Sequence, residues 1–291
     1  MKLRIALAQI NTALGDVERN LAKHLEYAEQ AGRQGADLLV FPELSLTGYV
    51  LQDLVPAVAR HADPADPVLA SLLTVSKSMD LVVGFVEEDV RNRFHISAAY
   101  LSGQKILHVH RKVYLPTYGM FDEGRFFAEG ERIQAFHTRF GRTGMLICED
   151  FWHASPPYLL WLDGADLFLF TSASPGRGLT SDPKLSTTRW VETINQAYAG
   201  LFTSFVVHSN RAGYEDGLHF WGGSTIFNPN GELLSQAPYH REALCIAELD
   251  LDQLHRTRAR LPLLRDERAM LVQRELDRIL DVNNHASGKE M

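Results

Sequence analysis

The chain has 291 residues, 45% of them hydrophobic and 22% charged, ordinary proportions for a globular protein. Against 29 Lys and Arg stand 36 Asp and Glu, and the formal charge of −7 argues against nucleic acid or an anionic membrane as the main partner. Two cysteines exclude a disulfide scaffold, and no apolar run approaches the roughly 18 residues of a membrane span.

Residues 3–9 alternate as a strand does, and they read as a first strand rather than a signal peptide. The expected setting is therefore the cytoplasm, with reduced thiols, although a single Cys148–Cys245 bridge stays open. Asp16 to Arg33 carries Val17, Leu21, Leu25 and Ala28 at helical spacing. Asp37 to Phe41 is a short apolar run, as in a strand buried on both faces, and Pro42 stops it. Pro67 to Ser78 reads as a helix and Leu81 to Phe85 as a strand. His95 to Leu101 and Lys105 to His110 form a hairpin pattern around Ser102-Gly103.

Residues 111–135 make a long loop rich in aromatic, Gly and charged residues, a length usually reserved for function. Gly144 to Cys148 is a buried strand cut off by Glu149-Asp150, and a helix follows near Tyr158 to Leu162. Gly35-Ala36-Asp37-Leu38-Leu39-Val40-Phe41 then returns as Gly164-Ala165-Asp166-Leu167-Phe168-Leu169-Phe170, which suggests two similar halves. Trp190 to Ala199 reads as a helix and Phe202 to His208 as a strand. Later strands are expected at Ser224 to Phe227 and Ala243 to Ala247, with turn chemistry at Asn228-Pro229-Asn230-Gly231. No linker divides the chain, so one domain over 1–281 is expected. It has a helical C-terminal segment from about 251 and a frayed polar tail at 282–291.

Three polar residues stand where a strand meets a loop. Glu43 follows a buried strand and a proline, Cys148 ends another strand, and Lys112 opens the aromatic loop. In open α/β sheets, sites gather at the carboxyl ends of strands. Their contexts are Phe41-Pro42-Glu43-Leu44-Ser45-Leu46-Thr47-Gly48-Tyr49, His110-Arg111-Lys112-Val113-Tyr114-Leu115-Pro116 and Gly144-Met145-Leu146-Ile147-Cys148-Glu149-Asp150-Phe151-Trp152. Together, in this order, they resemble the nitrilase superfamily of carbon–nitrogen hydrolases, over Ile5 to about Asp250.

The resemblance implies a four-layer α-β-β-α sandwich with internal pseudo-symmetry, which would account for the repeated segment. It implies a homodimer or higher homo-oligomer, and no metal or cofactor. It carries the catalytic Glu, Lys and Cys onto Glu43, Lys112 and Cys148, with Glu123 as a second carboxylate that positions the lysine. The chemistry is coherent without the family name. A thiol is mostly protonated at neutral pH and needs a base to attack an amide, and the oxyanion that forms needs a cation or N–H donors.

A narrower resemblance, to the glutaminase domain of glutamine-dependent NAD synthetase, rests on Glu43 to Tyr49, Leu115 to Glu123, Cys148 to Trp152 and Ser172 to Pro175. It implies substrate contacts at Tyr49, Tyr118, Glu149, Trp152 and Ser174. Arg177 is a candidate cation for a carboxylate. No phosphate-binding Gly-rich loop occurs in these 291 residues, and Asn210 to Ser224 departs from the synthetase-fused pattern. The expected reaction is hydrolysis of a small amide through a Cys148 thioester with release of ammonia. The alternative is a glutaminase subunit that feeds ammonia to a separate synthetase partner.

Rival readings come from other residues. His153 could serve Cys148 in a papain-like pair. His108, His110 and His137 could hold zinc. A binding protein on a decayed hydrolase fold would not need Glu43, Lys112, Cys148 and Glu123 together. The Arg256 to Arg260 cluster reads as a solvated helix face or an oligomer contact.

Overall fold

The computed structural model describes residues 1–178 and 184–287. The first half of the chain contains β1 (Lys2–Gln9), α1 (Val17–Arg33), β2 (Leu38–Val40), α2 (Val55–Val58), α3 (Pro67–Val75), β3 (Asp80–Glu88), β4 (Phe94–Ser102) and β5 (Lys105–Arg111). The second contains α4 (Glu123–Phe126), β6 (Phe136–Thr138), β7 (Gly141–Ile147), α5 (Ser155–Leu162), β8 (Leu167–Ser172), α6 (Ser186–Leu201), β9 (Phe205–Asn210), β10 (Ala212–Glu215), β11 (Leu218–Trp221), β12 (Thr225–Phe227) and β13 (Leu233–Gln236). Strand β14 (Ala243–Asp250) returns to the first half, and α7 (Asp252–Arg260), α8 (Leu263–Asp266) and α9 (Ala269–Ser287) follow. The expected tail at 282–291 thus begins inside α9, and its last four residues lie outside the described ones.

Two six-stranded sheets run in the orders β14-β1-β2-β3-β4-β5 and β13-β12-β9-β8-β7-β6. Each has three parallel strands in the middle, β1-β2-β3 and β7-β8-β9. Each adds two antiparallel strands on one side and one on the other. The two sheets therefore share one plan, and this is the internal pseudo-symmetry.

The repeated segment marks the same place in both halves. It carries the end of α1 into β2 and the end of α5 into β8, the middle strand of each parallel set. Both glycines are left-handed, Gly35 at φ +71 and Gly164 at φ +85. Ala36 N–H returns to Ala31 and Ala165 N–H to Leu160, so orphan carbonyls at both helix ends are satisfied in one way. Asp37 N–H then bonds to Arg4, and Asp166 N–H to Arg142, on the neighbouring first strands.

Alternation along the strands makes the layers. Met145, Ile147, Leu167, Leu169, Phe205 and Val207 share a buried cluster with Ile5, Leu7, Val40 and Val82 of the first sheet. The residues between them, Leu146, Phe168, Phe170 and Val206, pack with Leu160 and Trp161 of α5 and Val191 and Ile194 of α6. Ala28 and Ala31 of α1 and Leu69 and Leu72 of α3 cover the first sheet. The result is helix, sheet, sheet, helix. Each fully buried Leu or Phe contributes about 1.5–3 kcal/mol to holding the layers together.

Some boundaries differ from expectation. The strand after α6 begins at Phe205 rather than Phe202, and β7 begins at Gly141 rather than Gly144. The hairpin β10–β11, strand β13 and the one-turn helix α4 within the long loop were not anticipated. Cys148 and Cys245 are both free thiols. Among the described residues no helix is long and apolar enough to cross a membrane.

Candidate active site

Glu43 sits just past the end of β2. Pro42 ends the strand, and Leu44 bends the chain back at φ +48. Gly84 of β3 permits this bend, because a Cβ there would lie 2.5 Å from the Pro42 carbonyl oxygen. Ser45 fastens the turn, with Oγ donating to the Gly84 carbonyl at 3.2 Å and accepting its N–H at 3.1 Å. Lys112 follows β5 directly, and its N–H stays tied to Ile96 of β4. Cys148 follows β7 and opens a 3-10 turn, Cys148–Trp152, at φ +46. Left-handed backbone at a residue other than glycine costs about 1–3 kcal/mol and clusters at functional sites.

The structure brings Glu43, Lys112 and Glu123 into one buried group. Lys112 Nζ lies 2.8 Å from Glu43 Oε1 and 2.8 Å from Glu123 Oε1. The lysine and Glu43 side chains are 0% exposed. The second Glu43 oxygen accepts the Ala173 N–H at 2.8 Å, which fixes the carboxylate from the far sheet. An ion this deep needs such partners, since an unpaired buried charge costs several kcal/mol. Burial works against the Lys112 ammonium, but Glu123 and Glu43 outweigh it and hold the group charged.

Cys148 is partly exposed and lies within electrostatic reach of all three. Burial pushes its thiol well up, Glu43 pushes the same way, and Lys112 opposes them. Its resting form is the neutral thiol, so attack requires a base. Glu123 is pushed up to about 7, first by burial, against the pull of Lys112 and with a further push from Glu43.

The remaining candidates divide into groups. Tyr49 turns its phenol onto Glu123 Oε1 at 2.5 Å, joining the buried carboxylate group. Tyr118 donates to Glu149 at 3.0 Å, and the Arg177 guanidinium lies over the rings of Phe121 at 4.7 Å and Tyr118 at 5.7 Å. These three form a half-open patch with one anion and one cation. Ser174 Oγ accepts from Trp221 Nε1 at 3.2 Å, and its N–H is held by Asn210. Trp152 packs half-buried against the outer cluster beneath α5 and α6. A cavity of about 240 Å³ reaches Tyr49 and Glu123 from the 49–53 and 120–127 segments, and its walls include neither Lys112 nor Cys148.

The rival histidines are occupied elsewhere. His153 stacks on Tyr114 at 3.8 Å and lies 3.9 Å from Glu149. His108 stacks on Phe136, His110 is buried against Asp150, and the His137 ring lies 3.0 Å from Arg142. Among the described residues no group of three or more His, Cys, Asp or Glu could hold a metal ion.

Sequence reasoning missed the Ala173 N–H, which no side-chain pattern announces. It also gave no role to Arg211 or Glu215. Glu215 Oε1 accepts the N–H groups of Tyr49 and Val50, each at 2.8 Å, and Arg211 pairs with its other oxygen at 2.7 Å.

Residues 4–259 match the family model described as carbon-nitrogen hydrolase. The glutamine-dependent NAD(+) synthetase of Acinetobacter baylyi is 33% identical over 252 residues, covering 86% of this chain and 44% of that protein. That of Thermotoga maritima is 33% identical over 258 residues, covering 87% and 43%. The chain thus spans less than half the length of these curated relatives. A mutant of the amidase from Nesterenkonia sp. AN1, showing Michael addition of acrylamide at its active site cysteine, superimposes with a TM-score of 0.78. It is 25% identical and covers 94% of this chain and 99% of that one. A carbon-nitrogen hydrolase from Helicobacter pylori, 22% identical, shares the fold at a TM-score of 0.84, with 95% of this chain and 99% of that one covered.

Proposed function

The chain belongs to the carbon-nitrogen hydrolase family of the nitrilase superfamily, and from that premise we propose that it hydrolyses a small amide through a thioester on Cys148. What carries the reading is the Lys112 ammonium held between Glu43 and Glu123 beside the left-handed turn at Cys148.

Glu43 accepts the thiol proton as sulfur attacks the carbonyl carbon. The oxyanion forms against the Lys112 ammonium and the Glu149 backbone N–H, each such donor worth about 3–4 kcal/mol. The tetrahedral intermediate collapses, the C–N bond breaks, and Glu43 returns the proton to the leaving nitrogen, which departs as ammonia. The acyl group stays on Cys148. Water then gives a proton to Glu43 and attacks the thioester, and the thiol leaves with that proton as the carboxylic acid is released. Glu123 holds Lys112 in place throughout. Tyr118, Glu149, Trp152, Ser174 and Arg177 contact the substrate, and Tyr49 steadies Glu123.

A second reading, a glutaminase subunit that supplies ammonia to a separate synthetase, draws on the synthetase relatives and on the Glu149 and Arg177 patch. A carboxylate for an α-ammonium and a guanidinium for an α-carboxylate would select an amino-acid amide. Self-association as a homodimer or higher oligomer belongs to the same proposal, supported by exposed Met270, Leu276 and Leu280 on α9. Sedimentation checks it.

Ammonia release from a panel of small amides, L-glutamine first, tests the chemistry, with Cys148→Ala and Glu43→Gln as controls. Both variants are expected to fold and to release none. Turnover by Cys148→Ala would overturn the reading. Release from glutamine supports the glutaminase, and release only from other amides supports an independent amidase.

A further inference from the structure

We propose that Asp150, together with His110, is a positioning unit that locks the Cys148 turn to the Lys112 segment. Asp150 is 0% exposed and His110 is 3% exposed. One Asp150 oxygen, Oδ1, accepts the N–H groups of Val113 at 2.9 Å and Tyr114 at 3.0 Å, the two residues after Lys112. The other, Oδ2, accepts the N–H of Ile147 at 3.0 Å, the residue before Cys148. His110 Nε2, two residues before Lys112, lies 2.8 Å from the same Oδ2 and supplies the fourth proton.

One carboxylate therefore grips both sides of the lysine and the front of the cysteine turn. These segments come from different sheets, β5 from the first and β7 from the second. No backbone ladder joins them, so their relative placement has to come from side chains. Both oxygens are doubly engaged, which leaves Asp150 no free lone pair for proton transfer and sets it apart from Glu43. Only a carboxylate accepts four protons here. In Asp150→Asn, one side of the amide would carry N–H into donors that need an acceptor.

The purpose of the alignment rests on the hydrolase reading above, but the alignment can be measured without it. Among the groups that act most strongly on the Cys148 sulfur, Glu43, Glu123 and Glu149 oppose the thiolate and Lys112 favours it. If the lock loosens, Lys112 drifts and the thiolate becomes scarcer. Iodoacetamide therefore reads the geometry, with alkylation of Cys148 followed by mass spectrometry and folding followed by thermal unfolding. Asp150→Asn and His110→Leu are expected to slow alkylation about 10-fold while still unfolding cooperatively. His110→Gln keeps a donor where Nε2 stood and should recover most of the wild-type rate. On any amide that the wild type cleaves, Asp150→Asn should lower kcat about 100-fold with KM little changed, the mark of lost alignment rather than lost binding.

Wild-type alkylation rates in Asp150→Asn and His110→Leu would overturn the proposal, as would a His110→Gln variant as slow as His110→Leu. If Asp150→Asn fails to fold, the two His110 variants decide alone. A wild type that cleaves no amide would defeat the hydrolase reading and leave the alkylation comparison standing.

Discussion

Tyr49 donates its phenol proton to Oε1 of Glu123 at 2.5 Å, and that same oxygen lies 2.8 Å from Lys112 Nζ. From there the chain of contacts continues through Glu43 to the Ala173 N–H. Tyr49 and Glu43 follow β2, Lys112 follows β5, Glu123 opens α4 and Ala173 follows β8, so four separate segments meet on one line of charge and hydrogen bonds. Tyr49→Phe removes one hydrogen bond to a carboxylate, worth about 1.5–3 kcal/mol. It should lower kcat about 10- to 100-fold while leaving the unfolding temperature within a few degrees. Steady-state rates with ammonia detection, beside a thermal melt, check this. Unchanged kcat would mean that Lys112 holds Glu123 without help.

Glu123 titrates at about 7 because burial outweighs the pull of Lys112 and Glu43 adds to the push. Its ordinary value is 4.5, so the folded state favours the neutral acid. The stability this contributes is fully present below about 4.5 and is lost as pH rises through about 7. A Glu123→Gln variant cannot ionise. The stability of the wild type relative to Glu123→Gln should therefore fall from pH 4.5 to 7, by about 3 kcal/mol at most. Denaturant melts of both proteins across that window test the sign. In turnover, an ionised Glu123 that anchors Lys112 would give an ascending limb near pH 7, absent from the variant.

Much of this site was legible in advance because its signals are local. Glu43, Lys112 and Cys148 each come just after a strand, and a strand end is visible as an apolar run that stops. The repeated segment was legible for the same reason, as glycine at a helix end followed by a buried strand is a pattern of seven residues. The hairpin β10–β11 was overlooked although Asp216-Gly217 is a strong turn signal, and both residues are left-handed at φ +46 and φ +79. Its flanks, Ala212 to Glu215 and Leu218 to Trp221, are too short and mixed for periodicity to speak. Contacts such as Ala173 to Glu43 lie 130 residues apart and run through a backbone N–H, so residue types say nothing of them. Tyr49, expected at the substrate, lines the cavity that reaches Glu123 and turns its phenol onto that carboxylate, a double placement that only the fold reveals.

The Arg211–Glu215 pair makes a different prediction. Arg211 is 1% exposed, stacks over Phe220 at 4.4 Å and donates to the Thr12 carbonyl at 3.1 Å. Burial pushes its guanidinium down, and Glu215 opposes that. Glu215→Ala leaves a buried cation with one partner fewer and should cost about 3–5 kcal/mol. It also releases the N–H groups of Tyr49 and Val50. The double variant Arg211→Met with Glu215→Leu removes the stranded charge, so stability should partly return. Activity should not return, because the Tyr49 loop stays unanchored. Melts and rates on both variants separate the two effects, and a double variant with full activity would remove Glu215 from the support of Tyr49.

The shared plan of the two halves can itself be tested at Gly35 and Gly164. Both residues are left-handed, at φ +71 and φ +85, and each closes a helix ahead of the middle parallel strand of its sheet. A methyl group would meet only the far end of an arginine in either place, Arg4 Nη1 at 3.3 Å and Arg142 Cδ at 3.3 Å, so space is not the obstacle. What alanine loses at both positions is the free choice of positive φ, about 1–2 kcal/mol. Gly35→Ala and Gly164→Ala should therefore destabilise by similar amounts, and their effects should add in the double variant because the two turns share no partner. Urea melts with a common slope read this directly. A cost confined to one of the two would mean that the halves share a hydrogen-bond pattern without sharing its energetics, and that the half without the cost has relaxed around its glycine.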